Sequence, residues 1–105
     1  MSETEFLISY DVDVRMGHTH LTIHGRVVDF VVQLEIQIGD HWVPVIRYDT
    51  AHGFAHRDIL HPDGSVTKTP LFVVDYGEAL TYAEGDLKSN WDLYRERFLR
   101  EMGAR

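Results

Sequence analysis

The amino-acid sequence predicts an α+β fold, a twisted antiparallel sheet of about five or six strands with an amphipathic C-terminal helix packed on one face. Hydrophobic and polar residues alternate along the first two thirds of the chain, and in the last third the hydrophobic spacing changes to three and four residues. The 105 residues, 44% of them hydrophobic and 26% charged, are typical of one soluble domain. We therefore predict a single domain over residues 1–105, with strands within about 5–72 and the helix at about 77–102.

The alternation begins in residues 5–16, where Phe6, Ile8 and other hydrophobic residues share one face. This pattern predicts one antiparallel strand that ends in a turn at residues 16–18. A second strand follows, with Leu21 and Ile23 directed into the core, and Gly25 is expected to form a bulge or bend.

Residues 26–38 show the longest alternation, so we place them in a central strand with Phe30 and Leu34 in the core. A three-residue loop at 39–41 keeps the hydrophobic faces of the next hairpin together. It predicts the cross-strand pairs Ile38 with Trp42, Leu34 with Ile46, and Val32 with Tyr48. Proline lacks an N–H group, so Pro44 predicts that this strand lies at an edge or carries a bulge.

A loop at residues 50–53 leads into a predicted strand over 54–61. The sequence Pro62-Asp63-Gly64 is typical of a turn, and a further strand over about 65–72 completes a hairpin that places Asp58 opposite Lys68.

The predicted helix carries one hydrophobic stripe at spacings of three and four, formed by Leu80, Ala83, Leu87, Trp91, Tyr94, Phe98 and Met102. Asp75 has the position of an N-cap, and Gly103 that of a C-cap. Gly85 weakens the middle of the helix, where a kink or break would be tolerated.

The composition excludes several classes of function. Seventeen acidic residues against ten basic residues give a net charge of −7, which repels DNA and RNA and argues against a non-specific nucleic-acid binder. The chain has no cysteine, so disulfides, thiol catalysis and thiolate metal sites are excluded. No hydrophobic run is long enough to span a membrane, and the N-terminus does not resemble a signal peptide, so we expect a cytoplasmic protein.

Residues 47–58 form the densest polar stretch and hold the candidate site. His52 and His56 are candidate catalytic residues, because a histidine pair can exchange protons with a nucleophile and a leaving group. Arg47 and Arg57 would hold a phosphate. The candidate substrate-binding residues are Tyr48, Asp49 and Asp58. Two alternatives remain open, a hairpin stabilised by Arg–Asp pairs with His52 in a turn, and a site of simple ligand or partner contact.

The run Trp42–Asp49, followed by Ala51-His52-Gly53 and His56-Arg57-Asp58, resembles a family of small uncharacterised prokaryotic proteins. More loosely, it is similar to the TumE-type toxins of toxin–antitoxin pairs, which carry an arginine-aspartate-asparagine stretch followed by clustered histidines. The resemblance covers about residues 41–61. Thr50-Ala51 and a single His52 stand where the toxins have asparagine and a doubled histidine. The first family implies no activity, and the second implies a toxin.

His18, His20 and His24 form a second group, because their spacing places them on one face of a strand. His18 and His20 with Asp11 or Asp13 are candidate ligands for zinc or nickel, and the alternative is a solvent-facing polar strand. His52 and His56 have the spacing of metal ligands on a helix, but Gly53 and the strand-like residues 54–60 argue against a helix there. We therefore expect no cofactor.

Two functions follow from these observations. The first is a small acidic protein-interaction module that self-associates, with a protein or a second copy as partner and no membrane contact. The second is a metal-independent nuclease-like toxin that uses His52 and His56, aided by Arg47 and Arg57. Nucleic acid is a partner only in the second, and the sequence leaves open whether the protein is an enzyme.

Overall fold

The computed structural model describes residues 1–73 and 75–103, in which six strands form one antiparallel sheet in chain order and a helix follows them. The elements are β1 (Ser2–Asp11), β2 (Val14–Ile23), β3 (Arg26–Ile38), β4 (His41–Asp49), β5 (His56–Leu60), β6 (Val66–Pro70) and α1 (Tyr76–Gly103). The predicted α+β fold is therefore confirmed. Among the described residues, no helix combines the length and the apolarity that a bilayer crossing requires.

The core lies between α1 and one face of the sheet, mainly over β3. Phe30 and Leu34 are fully buried there, as the alternation predicts. The helix contributes its hydrophobic stripe, from which Leu87 and Phe98 are buried and Trp91 stacks on Tyr10. Within the described residues the opposite face of the sheet carries no α-helix, so functional side chains can lie on either a covered or an open face.

The turn between β1 and β2 lies at residues 12–13, and the prediction of a turn at 16–18 was wrong. Ile8 pairs with Met16 across this hairpin. Because paired residues share a face, even-numbered positions face the helix both before and after the turn. A bulge in β1 makes this register compatible with the short turn. The alternation of hydrophobic and polar residues therefore continues through the hairpin, and in the sequence β1 and the start of β2 look like one longer strand.

The same register reverses the predicted orientation of the second strand. His18 lies on the helix side and is 3% exposed, whereas Leu21 lies on the open face and Ile23 ends the strand exposed. The prediction that Leu21 and Ile23 enter the core was therefore wrong. His24 and Gly25 both have positive φ angles (52° and 76°), as in a type I′ turn, so Gly25 forms the hairpin turn.

A two-residue turn at 39–40 joins β3 to β4, because Ile38 pairs with His41. The predicted three-residue loop and the pair of Ile38 with Trp42 were wrong. Val45 is the extra residue of a bulge, which corrects the register beyond it. Two of the predicted pairs are consequently present, Leu34 with Ile46 and Val32 with Tyr48. Pro44 lies beside the bulge, as its missing N–H predicts.

The last hairpin is shorter than predicted, and Asp58 faces Lys68 in it as expected. At the start of α1, the Asp75 carboxylate accepts a hydrogen bond from the Glu78 N–H at 2.8 Å, so Asp75 is the N-cap. The helix continues through Gly85 without a break and ends at Gly103. Residues 104 and 105, which would complete the predicted C-cap, lie outside the described residues.

Candidate functional site

Three of the candidate residues converge where β4 pairs with β5. Asp49 lies directly opposite His56, and Asp58 follows His56 by two residues, so all three side chains share the open face of the sheet. Although this face carries no helix, the three residues are buried. The sheet register, which is set by the loop between the two strands, therefore builds a closed polar cluster from residues of two adjacent strands.

The cluster is centred on the His56 ring. His56 Nε2 lies 2.8 Å from Asp49 Oδ1 and 3.6 Å from Asp58 Oδ1. The other ring nitrogen, Nδ1, lies 3.3 Å from the Phe54 carbonyl oxygen. Lys68 Nζ donates to Asp58 Oδ1 at 3.0 Å from the neighbouring strand. This arrangement can bind a cation or a proton between the carboxylates and the imidazole.

Hydrogen bonds anchor the start of the loop between β4 and β5. The Ala51 N–H donates to Asp49 Oδ1 at 3.1 Å, and the Phe30 N–H donates to the Thr50 hydroxyl at 3.1 Å. That hydroxyl also donates to the Asp29 carboxylate. His52 lies at the exposed tip of this loop with a φ of 69°, a left-handed conformation uncommon for a non-glycine residue.

The candidate arginines do not join this cluster. Arg47 lies on the same face, and its Nε donates to Gln33 Oε1 at 2.8 Å. Arg57 follows His56 in an extended strand, so its side chain points to the helix face, beside Tyr48 and Tyr94. The structure therefore separates Arg57 from His56, and the predicted catalytic roles of His52, His56, Arg47 and Arg57 stay a prediction.

Tyr48 belongs to a second polar cluster, between the sheet and α1. Its hydroxyl donates to Asp86 Oδ2 at 2.6 Å, and the Tyr94 hydroxyl donates to the same oxygen at 2.5 Å. Asn90 Nδ2 donates to Asp86 Oδ1 at 2.8 Å. Burial, and then the bond to Asp86, raise the pKa of Tyr48 and raise the pKa of Tyr94 to about 12. Both tyrosines therefore stay neutral donors at physiological pH.

Sequence reasoning missed Asp86, Asn90 and Tyr94 as a unit. Their spacing of four places all three on one face of a helix, beside the hydrophobic stripe. A polar row at that position, next to a buried face, is the signal that would have identified them. The cluster binds the helix to Tyr48 and leaves Tyr48 no access to a ligand on the open face.

The predicted histidine metal site is not formed as expected. His18 and His20 share a face, and their rings approach to 2.6 Å between Nε2 and Nδ1. However, this face lies against the helix, where Glu84 Oε1 lies 3.0 Å from His18 Nδ1. Asp11 and Asp13 instead form ion pairs with Arg95. The two aspartates therefore share the Arg95 guanidinium and are not held as ligands beside the histidines.

A groove with a volume of about 630 Å³ crosses the open face of β1, β2 and β3. Leu7 and Val31 contribute exposed hydrophobic surface to it, and Glu5 and Glu35 contribute carboxylates. Gly17 lies between them, opposite Leu7. The groove ends at β1, the edge strand of the sheet in the part of the chain that the structure describes.

Comparison with known proteins gives a match to one family model. A family model matches residues 1–104, and its description is a domain of unknown function, DUF7718. No curated protein and no solved structure matches the chain. The chain therefore matches an uncharacterised family over nearly its whole length, whereas the motif at residues 41–61 and the likeness to TumE-type toxins stay predictions.

Proposed function

This chain belongs to the family of domains of unknown function DUF7718, and we propose that it is a cytoplasmic protein-interaction module that self-associates through β1. The occupant of the β1 edge is a second copy of the chain, paired antiparallel to the first. The single observation that carries the proposal is the self-complementary, unprotected hydrophobic segment at the centre of this edge strand.

The exposed edge of β1 is long, and its bulge lies near its C-terminal end, between Ser9 and Asp11. It spans ten residues, and the strand order gives it β2 as its only neighbour in the sheet described. An edge strand presents a row of unpaired N–H and C=O groups, which a further strand can satisfy. An unprotected edge of this length favours strand addition.

The hydrophobic segment Phe6-Leu7-Ile8 is self-complementary. Pairing centred on Leu7 places Leu7 opposite its copy and Phe6 opposite Ile8. Leu7 is 62% exposed, Phe6 37% and Ile8 41%, so association would bury hydrophobic surface that the single chain leaves in water. Because residues of the same parity pair, both helices would lie on the same face of the combined sheet.

The opposite edge of the sheet lacks these properties. The edge strand β6 spans five residues, carries Lys68 and ends at Pro70. A short strand, a lysine and a proline are the devices by which proteins block edge-to-edge association. By contrast, β1 contains no lysine, arginine or proline. The contrast between the edges supports β1 as the interface.

The experiment compares two variants that make the same change of charge. Leu7→Lys places two positive charges opposite each other at the centre of the proposed interface, and Val12→Lys places one at a turn residue that is 89% exposed. We expect sedimentation velocity to show dimers for the parent chain and for Val12→Lys, and monomers for Leu7→Lys. Hydrogen exchange would show protection of the outward-facing β1 amides, which do not bond to β2, in the dimer alone. A monomeric parent chain at several hundred micromolar, or a dimeric Leu7→Lys variant, would overturn the proposal.

A second candidate is the nuclease-like toxin that the likeness to TumE-type proteins implies. The convergence of Asp49 and His56 supports it, because both belong to the stretch that carries the likeness. The position of Arg57 on the other face counts against the complete catalytic set. The test is cleavage of RNA by purified protein in excess chelator. A rate that falls at least ~100-fold in His52→Ala and in His56→Ala supports the mechanism, and an unchanged rate in the double variant rules it out.

A further inference from the structure

We propose that Asp49, His56 and Asp58 bind one divalent transition-metal ion of the class of Zn²⁺ or Mn²⁺. Each residue offers one ligand atom, and these atoms all lie within 4.8 Å of one another. All three residues are buried, which distinguishes them from the exposed acidic groups common on protein surfaces. The proposal is independent of the self-association of β1, because the cluster lies on β4 and β5.

The distances suit a shared ion. Ligand atoms at about 2.1 Å from one tetrahedral ion lie roughly 3.4 Å from each other. The two measured separations from His56 Nε2, 2.8 Å to Asp49 and 3.6 Å to Asp58, lie on either side of that value. Small rotations of the side chains therefore suffice to place all three atoms around one ion, with further positions left for water.

The orientation of the imidazole favours a cation. A carbonyl oxygen only accepts hydrogen bonds, so a hydrogen on His56 Nδ1 would satisfy the contact with the Phe54 oxygen. Nε2 is the ring atom that faces Asp49 and Asp58, and three potential ligand atoms meet in a buried space. A metal ion satisfies all three, and a backbone carbonyl on the other ring nitrogen is the usual support for a metal-bound histidine.

The donor set indicates the class of ion. One imidazole nitrogen and two carboxylate oxygens suit first-row transition metals such as Zn²⁺ and Mn²⁺. Ca²⁺ and Mg²⁺ prefer ligand sets made of oxygen alone. We therefore expect Zn²⁺ and Mn²⁺ to bind more tightly than Ca²⁺.

Two other cations compete for these atoms. One is a proton bound to His56 Nε2. The resulting N–H group would donate a hydrogen bond to Asp49 Oδ1, which lies 2.8 Å from Nε2. The other is the Lys68 ammonium on Asp58 Oδ1, and the Lys68 side chain is 44% exposed and free to rotate into solvent. Removal of the ammonium leaves Asp58 available, so Lys68→Ala is expected to strengthen metal binding. If the cluster is only an ion pair, the same change creates no metal affinity.

The test measures the binding of Zn²⁺, Mn²⁺ and Ca²⁺, each alone, to protein stripped with chelator. We expect titration calorimetry to show one Zn²⁺ per chain, with binding weakened at least tenfold in Asp58→Asn and in His56→Gln, and strengthened in Lys68→Ala. His52→Gln is the matched control, because it removes an exposed histidine from the loop and should leave binding unchanged. Cobalt absorption bands present in the parent chain and lost in Asp58→Asn would give a second readout.

Two outcomes would overturn the metal site. One is the absence of stoichiometric binding in both the parent chain and Lys68→Ala, which identifies the cluster as an ion pair closed by a proton. The other is unchanged binding in both Asp58→Asn and His56→Gln, which places the ion at other histidines. Because Lys68 is largely exposed, its variant remains informative if the substitutions of buried ligands prevent folding.

Discussion

His18 is a buried titratable residue on the helix side of β2. Its ring stacks on Phe6 with 4.2 Å between centroids and lies beside His20. Burial is the main cause that lowers the pKa of His18 below 6.5; His20 also lowers it, while Glu84 acts in the opposite direction. The folded chain therefore resists a proton that the unfolded chain accepts.

The first prediction follows from the lowered pKa of His18. As pH falls through 6.5, the unfolded chain takes up a proton at His18 before the folded chain does, so the free energy of unfolding decreases. We expect urea denaturation to show a decrease in stability from pH 7.5 to pH 5. In His18→Gln the decrease should be smaller, because the variant has no group to protonate at this position. Equal slopes for parent and variant would contradict the buried, neutral His18.

The second prediction concerns Asp86, which accepts from Tyr48, Tyr94 and Asn90. Tyr94→Phe removes one hydrogen bond to a charged acceptor and leaves two, so we expect a loss of about 1–2 kcal/mol in the free energy of unfolding. Tyr82→Phe, at a tyrosine that is 53% exposed, is the matched control and should change stability little. Equal effects of the two substitutions would show that the Asp86 cluster does not stabilise the contact between helix and sheet.

The residues of the candidate site could be selected from the sequence, but their grouping could not. The stretch 47–58 stands out by composition, and it does contain Asp49, His56 and Asp58. Adjacent residues of a strand point to opposite faces, however, so the Tyr48 and Arg57 side chains lie on the helix face, away from that cluster. Which face each residue takes depends on how the loop at 50–55 sets the register, and no periodicity within the loop encodes it.

At the scale of elements, the hairpins explain which boundaries could be predicted. In each of the first three hairpins a two-residue turn is combined with a bulge, so residues of the same parity keep the same face in successive strands. The alternation of hydrophobic and polar residues therefore indicates strands reliably. It does not reveal the turn at 12–13, because it continues through that turn. The helix, whose period differs from that of the strands, begins and ends within one residue of its expected bounds of 77–102.

The third prediction uses the continuity of α1. A Cβ added at Gly85 meets no atom within 4 Å, and the residue is exposed within an unbroken helix. We expect Gly85→Ala to stabilise the protein by about 0.5–1 kcal/mol, because alanine loses less backbone entropy on folding. Gly64→Ala also places its Cβ in open space, but at a φ of 90°, so it should destabilise. Thermal unfolding of both variants tests these two expected changes in stability. Destabilisation by Gly85→Ala would indicate that the helix is not regular at residue 85.

At the scale of the whole molecule, charge opposes the association that β1 favours. The net charge is −7 with neutral histidines, so two copies repel each other. In the antiparallel pairing centred on Leu7, Glu3 also comes opposite Asp11 of the second copy. The backbone hydrogen bonds and the hydrophobic contacts at the centre of the strand must exceed this repulsion. Association is therefore expected to depend on the ionic strength.

The last prediction gives the direction of that dependence. Salt screens repulsion between the two negative copies and leaves backbone pairing and hydrophobic burial nearly unaffected, so the dimer should tighten as the salt concentration rises. We expect sedimentation velocity at pH 7.5 to give a dissociation constant at 500 mM NaCl several-fold below that at 20 mM. Replacing Glu3 and Asp11 together by Gln and Asn should tighten the dimer at low salt and reduce its salt dependence. An interface built on ion pairs of opposite sign would weaken with salt instead, and that result would place the contact elsewhere than at β1, which contains no basic residue.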